Sequence, residues 1–167
     1  MTGSLPVVVF EALYEGVAAP ARATEDSAGY DLCAHLKGRA VKVLAGGMVG
    51  ERVMDDGAAL VLEPGEVALV PTGFRARLPK GFEAQIRIRS SAAFKKGLTI
   101  PNAPGTIDAD YPDEWLVMIK NSGGAAARIE HGERIAQAVL ARFETAEWKP
   151  GKVGTSTDRK GGLGSTG

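Results

Sequence analysis

The sequence predicts an all-β domain, a barrel or a sandwich of short strands with one short helix. Three observations predict it. β-prone and alternating runs of about eight residues recur along the chain. Turn signals stand between them, "EPGE", "LPKGF", "APGT", "NSGG" and "EHGE". Glycine and proline are frequent, 22 and 9 in 167 residues, as many short strands with tight turns require.

Taken in order, "PVVVFEAL" (6–13) is the first candidate strand. "SAGYDLCA" (27–34) opens with small residues that allow close backbone approach, then carries Asp31 into a strand. Residues 37–59 read as an excursion, in which two β-prone pieces flank "AGGMVG" and form an extra hairpin. "EVALVPTGF" (66–74) reads as one strand. "FEAQIRIR" (82–89) puts Ala84, Ile86 and Ile88 on one face and Gln85, Arg87 and Arg89 on the other. "SSAAFKKG" is the helical turn, with Ser90 or Ser91 as N-cap, lysines in its last turn and Gly97 as its stop. In "EWLVMIKN" both faces read as buried, Trp115, Val117 and Ile119 on one and Leu116 and Met118 on the other. "RIAQAVLARF" (134–143) completes the set. From Pro150 onward the chain has almost no apolar residues and cannot bury enough surface to fold by itself. The division is thus one β domain over 1–150 and a flexible glycine-rich arm over 151–167.

Composition excludes several functions. Twenty basic and twenty acidic residues leave no basic excess for general nucleic-acid binding, while allowing a local phosphate site. The single cysteine, Cys33, rules out an internal disulfide framework. No apolar run reaches membrane-spanning length, so no membrane partner is expected and the domain reads as cytoplasmic.

Five stretches carry chemistry. In "SAGYDLCA", Asp31 is either a site carboxylate or a solvated turn residue. In "RIRSSAAFKKG", Arg89, Ser90 and Ser91 sit where strand meets helix, a place that suits an anion; a serine cap beside a surface arginine is the ordinary alternative. In "PNAPGTIDADYPDEW", a hairpin after Pro104-Gly105 places Asp108 near its tip as a buried-edge carboxylate able to take a proton from water. Tyr111 beside it can cover a flat ligand or sugar face, and an acidic tip guarding a sheet edge is the plain alternative. In "GERIAQAVL", the amide of Gln137 lies in an apolar strand and must bond either backbone or ligand. In "RKGGLGSTG", glycine backbone with Arg159, Ser165 and Thr166 can wrap phosphate oxygens, or simply end the chain.

Each signal is weak alone, but the order "SAGYDL", "RSS", "NAPGTIDADY", "GERIAQ", "GGLGSTG" closely resembles the five ordered motifs of the trimeric dUTP pyrophosphatases (dUTPases), from Thr24 to the last residue. That resemblance implies a β-barrel or distorted jelly roll of short strands, and a homotrimer whose active sites are shared between subunits. It implies hydrolysis of dUTP to dUMP and pyrophosphate with Mg²⁺ on the triphosphate, which keeps uracil out of DNA and supplies the thymidylate precursor. By position, Asp108 resembles the general base and Tyr111 the tyrosine against deoxyribose. Asn102 resembles the uracil-reading asparagine, with backbone through Gly105, Thr106 and Ile107. Arg89, Ser90, Ser91 and Gln137 resemble the phosphate contacts, and Asp31 the aspartate near metal-bound water. Arg159, Gly162, Leu163, Gly164, Ser165 and Thr166 resemble the closing fifth motif. Leu163 stands where the family has an aromatic, Ser91 where it has glycine, and "YPDEW" where "YRGE" is commoner. Arg159 is one residue nearer the glycines than usual, and the 37–59 excursion is longer. dCTP deaminase, built on the same fold, or a bifunctional relative, is the neighbouring alternative; it requires a glutamate where this chain has Pro112. A non-catalytic nucleotide-binding regulator is a further alternative, against which the intact Asp108, Tyr111 and Gln137 argue.

Overall fold

The computed structural model describes residues 5–55, 57 and 59–154. In chain order its elements are β1 (Val9–Ala12), β2 (Gly29–Cys33), β3 (Ala40–Ala45), β4 (Met48–Val53), β5 (Leu60–Leu62), β6 (Val67–Pro71), β7 (Phe74–Arg77), β8 (Phe82–Ile88), α1 (Ser90–Lys96), β9 (Leu98–Thr99), β10 (Gly105–Ile107), β11 (Leu116–Asn121), β12 (Ala127–Ile129) and β13 (Arg134–Arg142). The strands form four ladders, β10-β8-β13-β2, β4-β3-β6-β11-β9, β1-β7 and β12-β5, and among the described residues none closes into a barrel. The two larger sheets enclose one core. Leu32, Ile86 and Ala138 come from the four-stranded sheet, and Val43, Val70, Val117 and Ile119 from the five-stranded one. This is the jelly-roll form of the expected all-β fold.

Alternation explains most of the packing. In β8, Ala84 and Ile86 are buried and Ile88 packs against the core, while Gln85, Arg87 and Arg89 lie on the outer face. In β11 only one face is fully buried: Trp115, just before it, and Val117 and Ile119 are inside, whereas Leu116 is exposed and Met118 half-buried. The hairpin β3–β4 occupies 40–53, with Ala45 opposite Met48 across its turn. The run 66–74 is two strands, not one. Gly73 sits between β6 and β7 at φ 78°, a left-handed value that breaks the strand. A Cβ there would also stand 2.8 Å from both His35 Cγ and Val17 Cγ2, so glycine is required twice over.

The helix spans Ser90–Lys96, and its N-cap is Arg89 rather than either serine, with no side-chain cap bond. Gly97 stops it in the left-handed conformation, as expected, returning its N–H to Ala92 and Ala93 carbonyls. The segment after Pro101 does not fold as a hairpin closed on itself. β9 pairs with β11 in one large sheet and β10 with β8 in the other, so the 100–104 turn carries the chain between sheets.

Candidate active site

The four-stranded sheet brings three motifs together. Gln137 in β13 lies opposite Arg87 of β8 on one side and Asp31 of β2 on the other, so the three side chains share the outer face. Close approach at this point depends on Gly29, because a Cβ there would stand 2.7 Å from Gln137 Oε1 and 2.9 Å from its Cβ. The glycine of "SAGYDL" is therefore the space into which the Gln137 amide fits.

Asp31 is the one buried carboxylate among the described residues. Its Oδ2 faces Arg89 Nη1 at 3.3 Å and Arg134 Nη1 at 3.1 Å, and its Oδ1 accepts from Gln137 Nε2 at 3.4 Å. Two guanidiniums and an amide thus satisfy this buried carboxylate. Two guanidiniums against one carboxylate leave a net positive charge at the strand–helix junction, where Ser90 and Ser91 are exposed. Arg134 was not among the residues singled out from sequence, although it lies inside "GERIAQ". Its signal was the motif itself, since a basic residue three positions before Gln137 returns to the same carboxylate across the bulge between Arg134 and Ala136. Gln137 takes the third option for a strand amide, a side-chain carboxylate rather than backbone.

Asp31 and Arg134 border a cleft of about 400 Å³ that Cys33, Arg22 and His35 also line. Partial desolvation, then the Asp31 charge, pushes the exposed Cys33 thiol up, with Arg134 and Arg89 opposing.

At the other edge of the sheet, β10 sets Gly105 opposite Ile86, Thr106 opposite Gln85 and Ile107 opposite Ala84. Gly105 is buried, and a Cβ there would lie 3.3 Å from Ile86 Cβ and 3.6 Å from Asn102 Nδ2, so the Asn102 amide sits over it. Asp108 follows β10. It is exposed, not the buried-edge carboxylate expected, because β10 is the edge strand of its sheet and Asp108 lies just past its end. Tyr111 is half-buried against the core, its N–H on the Asp108 carbonyl at 3.2 Å and its hydroxyl 3.5 Å from the Glu114 carbonyl.

Asp31, Arg89 and Gln137 therefore meet, with Ser90 and Ser91 adjoining, while Asn102, Gly105, Thr106, Ile107, Asp108 and Tyr111 form a second group. Ile107 pairs with Ala84 of β8, five residues or about 17 Å at strand rise before Arg89, so the second group lies toward the opposite end of β8 from the first. Arg159, Gly162, Leu163, Gly164, Ser165 and Thr166 lie outside the described residues.

The family model described as dUTPase matches residues 57–167. The deoxyuridine 5'-triphosphate nucleotidohydrolase of Desulfotalea psychrophila is 42% identical over 154 residues, covering 92% of this chain and 89% of its own. That of Rickettsia typhi is 42% identical over 149 residues, covering 89% of this chain and 87% of its own. Among solved structures, the dUTPase of Streptococcus mutans superposes with a TM-score of 0.65 at 28% identity, over 84% of this chain and 99% of that one. The Staphylococcus bacteriophage 80alpha dUTPase with dUPNHPP superposes with a TM-score of 0.74 at 25% identity, over 96% of this chain and 98% of that one. With a model spanning most of the chain and relatives matched over nearly their whole length, this chain belongs to the dUTPase family.

Proposed function

We propose that the chain hydrolyses dUTP to dUMP and pyrophosphate, with Asp108 as general base. The observation that carries this reading is the Asp31 cluster, which holds Arg89 and Gln137 on one sheet face with surplus positive charge beside exposed Ser90 and Ser91. Such a group suits a polyphosphate. Asp108 takes a proton from water, the water oxygen bonds to the α-phosphorus, and the bond from that phosphorus to the α–β bridging oxygen breaks, releasing pyrophosphate in line. The protein contributes position and charge rather than covalent chemistry. Asn102 and the backbone of Gly105, Thr106 and Ile107 read uracil, and the Tyr111 ring lies against deoxyribose where a 2′-hydroxyl would clash. The phosphate contacts expected of Arg159 and the glycine-rich end, over 151–167, belong to the same reading.

Mg²⁺ belongs to the same reading. Among the described residues no three His, Cys, Asp or Glu side chains group as a metal cage, and Mg²⁺ favours phosphate oxygens and water with one or two carboxylates. Asp31 would hold it through water, and the ion would neutralise charge on the triphosphate.

Within one chain the ladder register sets the Asn102–Tyr111 group and Arg89 toward opposite ends of β8. A complete site then takes its uracil and base group from one copy and its phosphate group from another, in a homotrimer with three shared sites. The reading also places the enzyme in the cytoplasm, with the deoxynucleotide pool; no described helix is long and apolar enough to cross a membrane.

Pyrophosphate release from dUTP with Mg²⁺ tests this, with ammonia release from dCTP as the control for deamination. Asp108→Asn keeps the shape and cannot accept a proton, so the rate should fall about 10²–10⁴-fold with nucleotide binding retained. Near-normal turnover by that variant would remove Asp108 from the mechanism.

A further inference from the structure

The Glu114 carboxylate has partners that the hydrolytic chemistry does not require. Oε1 accepts from Arg39 Nη1 at 3.0 Å and from the Gly73 N–H at 2.7 Å, and Oε2 accepts from Arg39 Nη2 at 2.6 Å. The Arg39 guanidinium lies over the Tyr14 ring, 4.5 Å from its centroid. Each side chain of the pair is only 15% exposed, so this is a two-point, weakly screened contact, unlike the usual surface ion pair. It joins three stretches far apart in sequence: the foot of the β3–β4 hairpin, the break between β6 and β7, and the end of the Asp108–Trp115 segment.

The next residue doubles the attachment. The Trp115 N–H donates to the Phe74 carbonyl at 3.0 Å, and the Trp115 carbonyl accepts from Thr72 Oγ1 at 2.7 Å. Glu114 and Trp115 thus fasten one end of a short loop whose other end is Asp108. Tyr111 lies between, bonded to the Asp108 carbonyl through its N–H and to the Glu114 carbonyl through its hydroxyl. The contacts run through the backbone carbonyls of Glu114, at 3.5 Å, and Asp108, at 3.2 Å.

We propose that Glu114, held by Arg39 and Gly73, is a positioning residue that sets the Tyr111 ring and the Asp108 carboxylate. Through Arg39 it makes the hairpin Ala40–Val53 part of substrate selection. This rests on the reading of Asp108 as base and Tyr111 as sugar filter.

Steady-state kinetics on dUTP and UTP, with sizing and thermal melting, test it on wild type, Glu114→Gln, Arg39→Gln, Arg39→Lys and the double Gln variant. Small misplacement of reacting groups costs up to about a hundredfold. Glu114→Gln and Arg39→Gln should each lower kcat on dUTP about tenfold or more and narrow the dUTP/UTP ratio of kcat/KM. The double variant should be no worse than either single, because both remove one contact. Arg39→Lys, which keeps the charge without the two-point geometry, should recover part of the loss. Ile129→Val, a buried substitution away from the site, serves as the control for lowered stability and should leave selectivity alone. Wild-type kcat and selectivity in Glu114→Gln, or an equal loss in Ile129→Val, would overturn the proposal. If Glu114→Gln does not fold, wild-type behaviour of Arg39→Gln would overturn it instead. A wild-type protein inert on dUTP would overturn both this proposal and the function on which it rests.

Discussion

Replacing Gly29 by alanine perturbs the phosphate group of the site without touching a proposed substrate contact. Gly29 does not have a positive φ, so alanine meets no backbone objection and the effect is steric. The new methyl group would stand 2.7 Å from Gln137 Oε1, 2.9 Å from Cβ and 3.0 Å from Cδ. The amide can swing aside by rotation, but Cβ is fixed to β13, so either the strands separate or Gln137 is pushed out of line with Asp31. Overpacking of this kind costs about 1–3 kcal/mol, which in a domain of this size lowers Tm by roughly 2–12 °C. On the proposed phosphate role of Gln137, a misdirected amide would also lose a bond to a charged phosphate, worth about 1.5–3 kcal/mol, or roughly 10- to 150-fold in kcat/KM. Pyrophosphate release from dUTP gives the second quantity and thermal melting the first. Gln137→Ala is the comparator and should reproduce the kinetic loss with less effect on Tm. A Gly29→Ala enzyme with lowered Tm and unchanged kcat/KM would show that Gln137 packs there without serving the phosphates.

Three further outcomes are expected. Tyr111→Ala should weaken discrimination against UTP more than it weakens folding, since the ring is proposed to exclude the 2′-hydroxyl; unchanged dUTP/UTP selectivity would place the filter elsewhere. Gly73→Ala should cost at least about 2 kcal/mol in denaturant unfolding, from the left-handed backbone and the clash with His35 and Val17, and a neutral result would contradict that packing. His35, stacked on Tyr14 at 4.8 Å and edge-on to His131 at 5.0 Å, is held below its ordinary value of 6.5 by burial first, then by the charges of His131 and Arg39, with Glu114 opposing. The unfolded chain therefore takes the proton first, so stability is full above 6.5 and falls as pH drops below it; unfolding followed from pH 7.5 to 5.5 should show that slope, and His35→Gln should reduce it.

The fold was legible where one local rule decides the outcome. Alternation set the inward row Ala84, Ile86 and Ile88, and Gly97 stopped the helix because its left-handed φ suits no other residue as well. Errors arose where tertiary contacts decide. "EVALVPTGF" carries Pro71 and Gly73 inside an apolar run that reads as continuous, yet Gly73 takes a left-handed φ, pressed between His35 and Val17, and the strand breaks there. Leu116 alternates like a buried residue but lies on the open face of β11. Asn121, at the end of that strand, is fully buried because its amide donates to the Leu62 and Ala125 carbonyls and accepts from the Gly123 N–H, partners that no spacing in "MIKN" reveals.

The candidate site divides along the same line. Gly29, Asp31, Arg89 and Gln137 lie in three separate motifs, and ladder register alone brings them together, because β2 and β8 flank β13 with Asp31 and Arg87 both opposite Gln137. Register depends on pairing, and pairing is not written in any single stretch. Arg134 escaped notice for that reason: its partner is 103 residues away, across a bulge. Asp108 shows the opposite case. Its place beside Tyr111 is local and was read correctly from sequence, but its exposure was not, since that follows from β10 being the sheet's edge. Within this chain the proposed phosphate contacts lie toward the other end of β8, and the proposed homotrimer would supply them from another copy. On that proposal, mixing Asp108→Asn subunits with Arg89→Ala subunits should restore turnover that neither has alone, and mixtures no more active than their parts would place each site within one chain.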